Sequence, residues 1–175
     1  KGAPVWRKNE IKGVPKFFTS SSPLIADGLV IAQLGSEDSG AIVAYDLADG
    51  KEKWKCPEGP AYASPVLADI DGVKQVVAMT SKKVVGVSAA DGKLLWEIPF
   101  VPEGRAYNAA TPIVDGSTVF FAGQGRGTKA VKIEKNGIQA AARGTVRSQW
   151  MEITPATASH WLANNFINRP LRPDR

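Results

Sequence analysis

The residues best suited to chemistry in this chain are paired carboxylates, a glycine-rich loop carrying an arginine, a lone histidine and a lone cysteine. Asp69-Ile70-Asp71-Gly72 starts like a calcium loop, in which alternating acids aim their oxygens at one cation. The later Asp or Asn and the closing bidentate Glu are absent, so a hairpin turn is the expected reading. Gly123-Gln124-Gly125-Arg126-Gly127 has the composition of a phosphate cradle. Such a cradle needs a helix N-terminus behind it, and no helical pattern follows, which leaves a loop between strands. His160 is the sole histidine, and no nucleophile motif of the Gly-x-Ser-x-Gly kind accompanies it. Ser20-Ser21-Ser22 reads as the lead-in to a strand, and Glu37-Asp38 and Asp46 with Asp49 as solvated acids at turns. Cys56 stands alone, which excludes an internal disulfide and any multi-cysteine metal site; it is expected to be small apolar filler beside a strand. No catalytic set emerges.

The elements that must carry these residues repeat. Ala44-Tyr45-Asp46-Leu47-Ala48-Asp49-Gly50-Lys51-Glu52-Lys53-Trp54 returns 42 residues later as Gly86-Val87-Ser88-Ala89-Ala90-Asp91-Gly92-Lys93-Leu94-Leu95-Trp96. A second marker, Ser22-Pro23, recurs as Ser64-Pro65 after 42 residues and as Thr111-Pro112 after 47 more. Gly2 and Trp6 keep the same glycine-to-tryptophan spacing, with Trp6 preceding Trp54 by 48. Within each period, short runs rich in Val, Ile and aromatics alternate with Asp-Gly pairs at 27–28, 49–50, 71–72, 91–92 and 115–116. Asp-Gly between apolar runs is a strong hairpin signal, because both residues tolerate positive φ. About four strands per period of this length describe a propeller blade.

A four-stranded sheet must bury its faces on its neighbours. One large ring per repeat fills the space between sheets, and the small Ala44 and Gly86, ten residues before Trp54 and Trp96, make room for it. The expected fold is therefore all-β: a partial β-propeller of about three four-stranded antiparallel blades plus a leading strand, followed by an irregular C-terminal tail. Arg126 is expected at a loop tip facing the propeller's funnel. The repeats set a partial propeller over 1–137 and a divergent tail over 138–175.

The net charge of +5 does not mark a nucleic-acid binder. Residues 138–175 hold five arginines against two acids, the rest is nearly balanced, and no basic helix or aromatic-interleaved basic stripe appears. No apolar run approaches the roughly 18 residues of a transmembrane helix. The chain begins at Lys1 with neither a methionine nor a leader pattern, and is expected to be cut from a longer protein.

Ala-x-Asp-x-x-x-Gly-Lys-x-x-Trp, as written by Ala44, Asp46, Gly50 and Trp54, resembles the tryptophan-docking motif of pyrroloquinoline-quinone (PQQ) type propellers. The second copy keeps Gly92 and Trp96 and replaces Ala and Asp by Gly86 and Ser88; in the third, Ala141 stands where tryptophan is due. That family includes quinoprotein dehydrogenases, a propeller lipoprotein of outer-membrane protein assembly, and secreted PQQ-binding-like repeat proteins. The resemblance implies blade-docking roles for Trp6, Ala44, Asp46, Gly50, Trp54, Gly86, Gly92 and Trp96, and a periplasmic or extracellular location. PQQ and calcium are expected only in a full-length parent, since no catalytic aspartate, calcium ligand set or cysteine pair transfers to this chain.

The leading expectation is a non-catalytic binding or scaffold module of an exported protein, partnered by the remaining blades and by other proteins. The alternatives are a fragment of a quinoprotein dehydrogenase with its active site elsewhere, and a propeller subunit of outer-membrane assembly. Two readings stand for residues 138–175: a segment packed on the last blade, or a sequence that has left the family's reading by frameshift or junction. The second is preferred, and Ser159–Asn164 is assigned a short helix.

Overall fold

The computed structural model describes residues 2–133 and the two-residue strand Met151–Glu152. Among them, three four-stranded antiparallel sheets follow one another along the chain. The first holds β1 (Leu24–Ala26), β2 (Leu29–Leu34), β3 (Ala41–Asp46) and β4 (Glu52–Cys56) in that order. The second holds β5 (Val66–Ile70), β6 (Val73–Met79), β7 (Lys83–Ser88) and β8 (Leu94–Pro99). The third holds β9 (Ile113–Asp115), β10 (Thr118–Gly123), β11 (Gly127–Lys132) and β12 (Met151–Glu152). The first strands β1, β5 and β9 lie beside one another, so the sheets radiate from a common inner rim. This is a partial β-propeller of three blades.

The apolar pattern explains the stacking. In β3 five of six residues are buried and in β7 the central four, because alternate side chains point to opposite faces and both faces are covered. Ile31, Ile42, Ala44 and Trp54 of the first blade pack on Val76, Ala78, Val85 and Val87 of the second. The opposite face of the second blade, with Val77, Met79, Val84 and Trp96, packs on Val119, Phe121 and Val131 of the third. Burying one tryptophan between sheets is worth about 4–6 kcal/mol by area.

The five Asp-Gly pairs divide into three uses. Asp27 (φ 49°) with Gly28 (φ 75°), and Asp71 (φ 52°) with Gly72 (φ 78°), form two-residue hairpins in which both central residues are left-handed, as type I′ turns require. At Asp115-Gly116 the aspartate ends β9 and Gly116 (φ 56°) leads the turn. Gly50 (φ 71°) and Gly92 (φ 73°) instead close longer loops after β3 and β7, and their aspartates stay out of the left-handed region.

The constant 42-residue period hides two opposed changes. Leu24 pairs with Ile31, seven residues on, whereas Val66 pairs with Val77, eleven on. Ile31 then pairs with Ala44, thirteen on, and Val77 with Gly86, nine on. The second blade lengthens its first hairpin and shortens its next by the same amount.

The leading segment is not the expected strand. Residues 2–23 form no ladder, because a strand requires a neighbour for its N–H and C=O groups. The segment instead crosses the first blade, where Trp6 and Ile11 cover Ala41, Val43 and Tyr45. At the other end, Met151 pairs opposite Ala130, the register position that Trp54 takes opposite Ala44 and Trp96 opposite Gly86. Ala141, His160, the 159–164 helix and the remainder of the tail lie outside the described residues.

Candidate functional site

Two constructions carry the chemistry of this molecule: the joints between blades, and a cleft among the loops at one end of the sheets. The joints are built by the repeated residues. Trp6 donates its indole N–H to the Leu47 carbonyl at 2.9 Å, and Trp54 does the same to Ala89, 42 residues further, at 3.0 Å. Each ring lies on the glycine that ends the receiving loop. A Cβ on Gly50 would stand 2.7 Å from Trp6, and one on Gly92 2.6 Å from Trp54. Each tryptophan thus meets the glycine of the next repeat rather than the one four residues before it.

Trp96 departs from this pattern. Its ring lies on Gly86 in its own sheet, where any Cβ would collide with it, and its N–H goes to the Gln75 side chain. The Ala-to-Gly change at 86 therefore has a steric reason: the bare backbone lets the indole lie down within reach of Gln75. Gln75 occupies the register position of Leu29 in the first blade, which offers no acceptor.

The loops behind these glycines are closed by carboxylates. Asp46 accepts the Ala48 N–H at 2.9 Å and pairs with Lys53 at 3.0 Å, and these contacts, the backbone bond first, lower its pKa. In the second copy Ser88 replaces Asp46, and its hydroxyl acts on Asp91 instead. That bond, and then Lys93, lower the Asp91 carboxyl to about 2.

The Ser-Pro marker makes a relay along the inner rim. The Ser22 N–H donates to the Ser64 hydroxyl at 2.9 Å, and the Ser64 N–H donates to the Thr111 hydroxyl at 3.2 Å. Sequence reasoning read Ser22 as a strand lead-in only; the recurrence of a hydroxyl before proline at the blade period was the available signal.

The cleft has a volume of about 240 Å³ and opens among the loops that join strands and blades, between Tyr62, Tyr107, Pro60, Val101, Glu37 and Lys82. Tyr62 and Tyr107 meet edge to face, 5.7 Å between centroids, and Phe17 closes the aromatic cluster against Tyr107 at 5.0 Å. The Tyr62 hydroxyl donates to Glu37 at 3.2 Å and accepts the Phe17 N–H at 3.3 Å. Desolvation first, together with the Glu37 carboxylate, raises its pKa, so it remains a donor. Glu37, expected to be solvated, is half-buried, with the Tyr62 hydroxyl bonded to its carboxylate. Among the described residues no cation lies within ion-pair distance of it.

Asn108 anchors the floor and is 2% exposed. Its amide donates to the carbonyls of Thr80 at 3.0 Å and Phe100 at 2.9 Å, and its oxygen accepts from Arg126 at 2.9 Å. Nothing in the sequence marked it. Arg126 does not reach into a funnel: its guanidinium stacks 3.9 Å above the Phe100 ring and bonds the Phe100 carbonyl at 2.9 Å. Gly123 permits this fold-back, since a Cβ there would occupy the guanidinium's place.

The other singled-out residues do not assemble into a reactive centre. Asp69 accepts the Gly72 N–H of its own turn at 2.9 Å, and Asp27 is paired with Lys74 at 3.0 Å. Cys56 is buried, and burial pushes its thiol up to about 11. Among the described residues no three of His, Cys, Asp and Glu come together as metal ligands would. No described helix is long and apolar enough to cross a membrane.

A family model described as outer membrane protein assembly factor BamB matches residues 1–167. No curated protein matches the chain. Among solved structures, the crystal structure of BamB from Moraxella catarrhalis is 20% identical, with a TM-score of 0.49 over 66% of this chain and 34% of that one. The chain thus spans about a third of that protein's length.

Proposed function

Because the chain belongs to the PQQ-type propeller family described as outer membrane protein assembly factor BamB, we propose that it serves as a non-catalytic binding module of an exported, periplasmic propeller engaged in outer-membrane protein assembly. The family match along residues 1–167 carries this reading. The loop-face cleft supports it, being shaped by aromatic and proline side chains around a carboxylate rather than by a nucleophile and base. Its partners are the remaining blades of the same propeller and proteins of the assembly machinery.

The test uses the full-length parent in its own cell. Deleting it is expected to lower the amount of folded outer-membrane β-barrel proteins, and crosslinking in the envelope is expected to join it to the machinery that inserts them. Unchanged barrel levels, together with PQQ- and calcium-dependent oxidation of an alcohol or sugar by the purified parent, would replace this reading with that of a quinoprotein dehydrogenase.

A further inference from the structure

Three features on the loop face converge on one ligand chemistry. The cleft walls are apolar, formed by Pro60, Val101 and the two tyrosine rings. Glu37 stands in that wall half-buried, its carboxylate accepting from the Tyr62 hydroxyl and forming no ion pair among the described residues. Of the lysines at the cleft and its rim, Lys82 is exposed and lies 3.9 Å from Asp38, and Lys16 bonds the Tyr107 hydroxyl at 3.2 Å. A carboxylate in an apolar wall is stabilised by an incoming positive charge that supplies hydrogen bonds as well as Coulomb attraction.

The rim shows how a polypeptide lies there. Residues 15–18 turn back on themselves, with the Phe18 N–H donating to the Pro15 carbonyl at 2.9 Å. Along that turn the Phe17 N–H reaches the Tyr62 hydroxyl, while the Lys16 ammonium sits 5.9 Å from the Tyr107 ring centre. The aromatic rim thus already receives a main-chain N–H and a lysine side by side, although from outside the cleft.

We propose that the cleft receives a lysine or arginine side chain from an extended segment of a partner protein. The hydrocarbon stem lies along Pro60, Val101 and Tyr107, and the charged head meets Glu37. The 240 Å³ of the cleft accommodates one such side chain. This deepens the binding-module reading and rests on it, by naming what the partner presents.

The experiment titrates the 175-residue chain with the capped tripeptide Ala-Lys-Ala while the ring resonances of Tyr62 and Tyr107 are followed by NMR. Saturable shifts are expected, with the norleucine counterpart and n-butylamine each binding about tenfold more weakly. Glu37→Gln, which keeps the shape and the bond to Tyr62, is expected to weaken the lysine peptide about tenfold at an unchanged melting temperature. Equal binding of the norleucine peptide, equal binding of n-butylamine, or full affinity in Glu37→Gln would each overturn the proposal. The titration speaks only to the cleft, and the envelope crosslinking only to the assembly role, so failure of one is distinguishable from failure of the other.

Discussion

Trp54 closes a joint with Ala89, a residue of the next blade: its indole N–H meets that carbonyl at 3.0 Å while its ring covers Gly92. The bond and the close approach act together. The N–H satisfies a carbonyl in a buried place, and the bare glycine at φ 73° lets the ring come down onto the loop.

Gly92→Ala is expected to destabilise the chain by about 1–3 kcal/mol, since the new Cβ both strains the backbone and strikes the ring. Trp54→Phe keeps a ring but orphans the Ala89 carbonyl, for about 1–3 kcal/mol. In the double variant the losses fall short of their sum, because both act on one joint. Urea unfolding midpoints of the four proteins check this.

The second blade makes an opposite demand. Gly86→Ala forces Trp96 off its own sheet and is expected to cost about 1–3 kcal/mol, with greater quenching of tryptophan emission by acrylamide. Ala44→Gly, the reverse exchange in the first blade, costs only about 0.5–1 kcal/mol and leaves quenching unchanged. Equal effects of the two exchanges would show that Trp96 does not depend on the missing Cβ.

Acid acts through the loop carboxylates. The Asp91 carboxyl is lowered from 3.8 to about 2 in the folded chain, held there by the Ser88 hydroxyl and by Lys93. The unfolded chain therefore takes up this proton first as pH falls. The stabilisation is complete above about 3.8 and disappears as pH drops through about 2. Asp46, lowered in the same direction, adds to the trend. Melting temperatures recorded across that window are expected to fall, less steeply in Asp91→Asn, and less steeply in high salt because Asp91 is exposed enough to be screened.

Cys56 reports opening of the first two blades. It is buried and its thiol lies at about 11, so at pH 8 it is both covered and protonated. A thiol-specific reagent is expected to label it far more slowly in the folded chain than in urea, with the labelling rate tracking the unfolded fraction. Immediate labelling in buffer would mean that the packing of β4 on the second blade is open in solution.

Much of this was legible in the residues. The runs rich in Val, Ile and aromatics between Asp-Gly pairs fall inside β2, β3, β6, β7 and β10, because such runs have few other ways to bury themselves. In the ladders Ala44 stands opposite Trp54 and Gly86 opposite Trp96. Hidden were the partners. Gly50 and Trp54 are four residues apart in one repeat, yet the ring on Gly50 is that of Trp6. A spacing that repeats looks the same within a blade and between blades, so the pattern cannot say which copy touches which.

The repeat, the all-β character and the family are readable along the chain, because a 42-residue period written in glycine and tryptophan is a local property of it. Three contacts came from the fold alone: Trp96 turns to Gln75, Arg126 folds onto Phe100, and Glu37 faces Tyr62. The first depends on two strands of one blade holding a ring over bare backbone, and the other two on loops from different parts of the chain meeting in space. Loop meetings follow from how the sheets fan out, and single residues far apart in the chain carry no mark of where that fan will bring them.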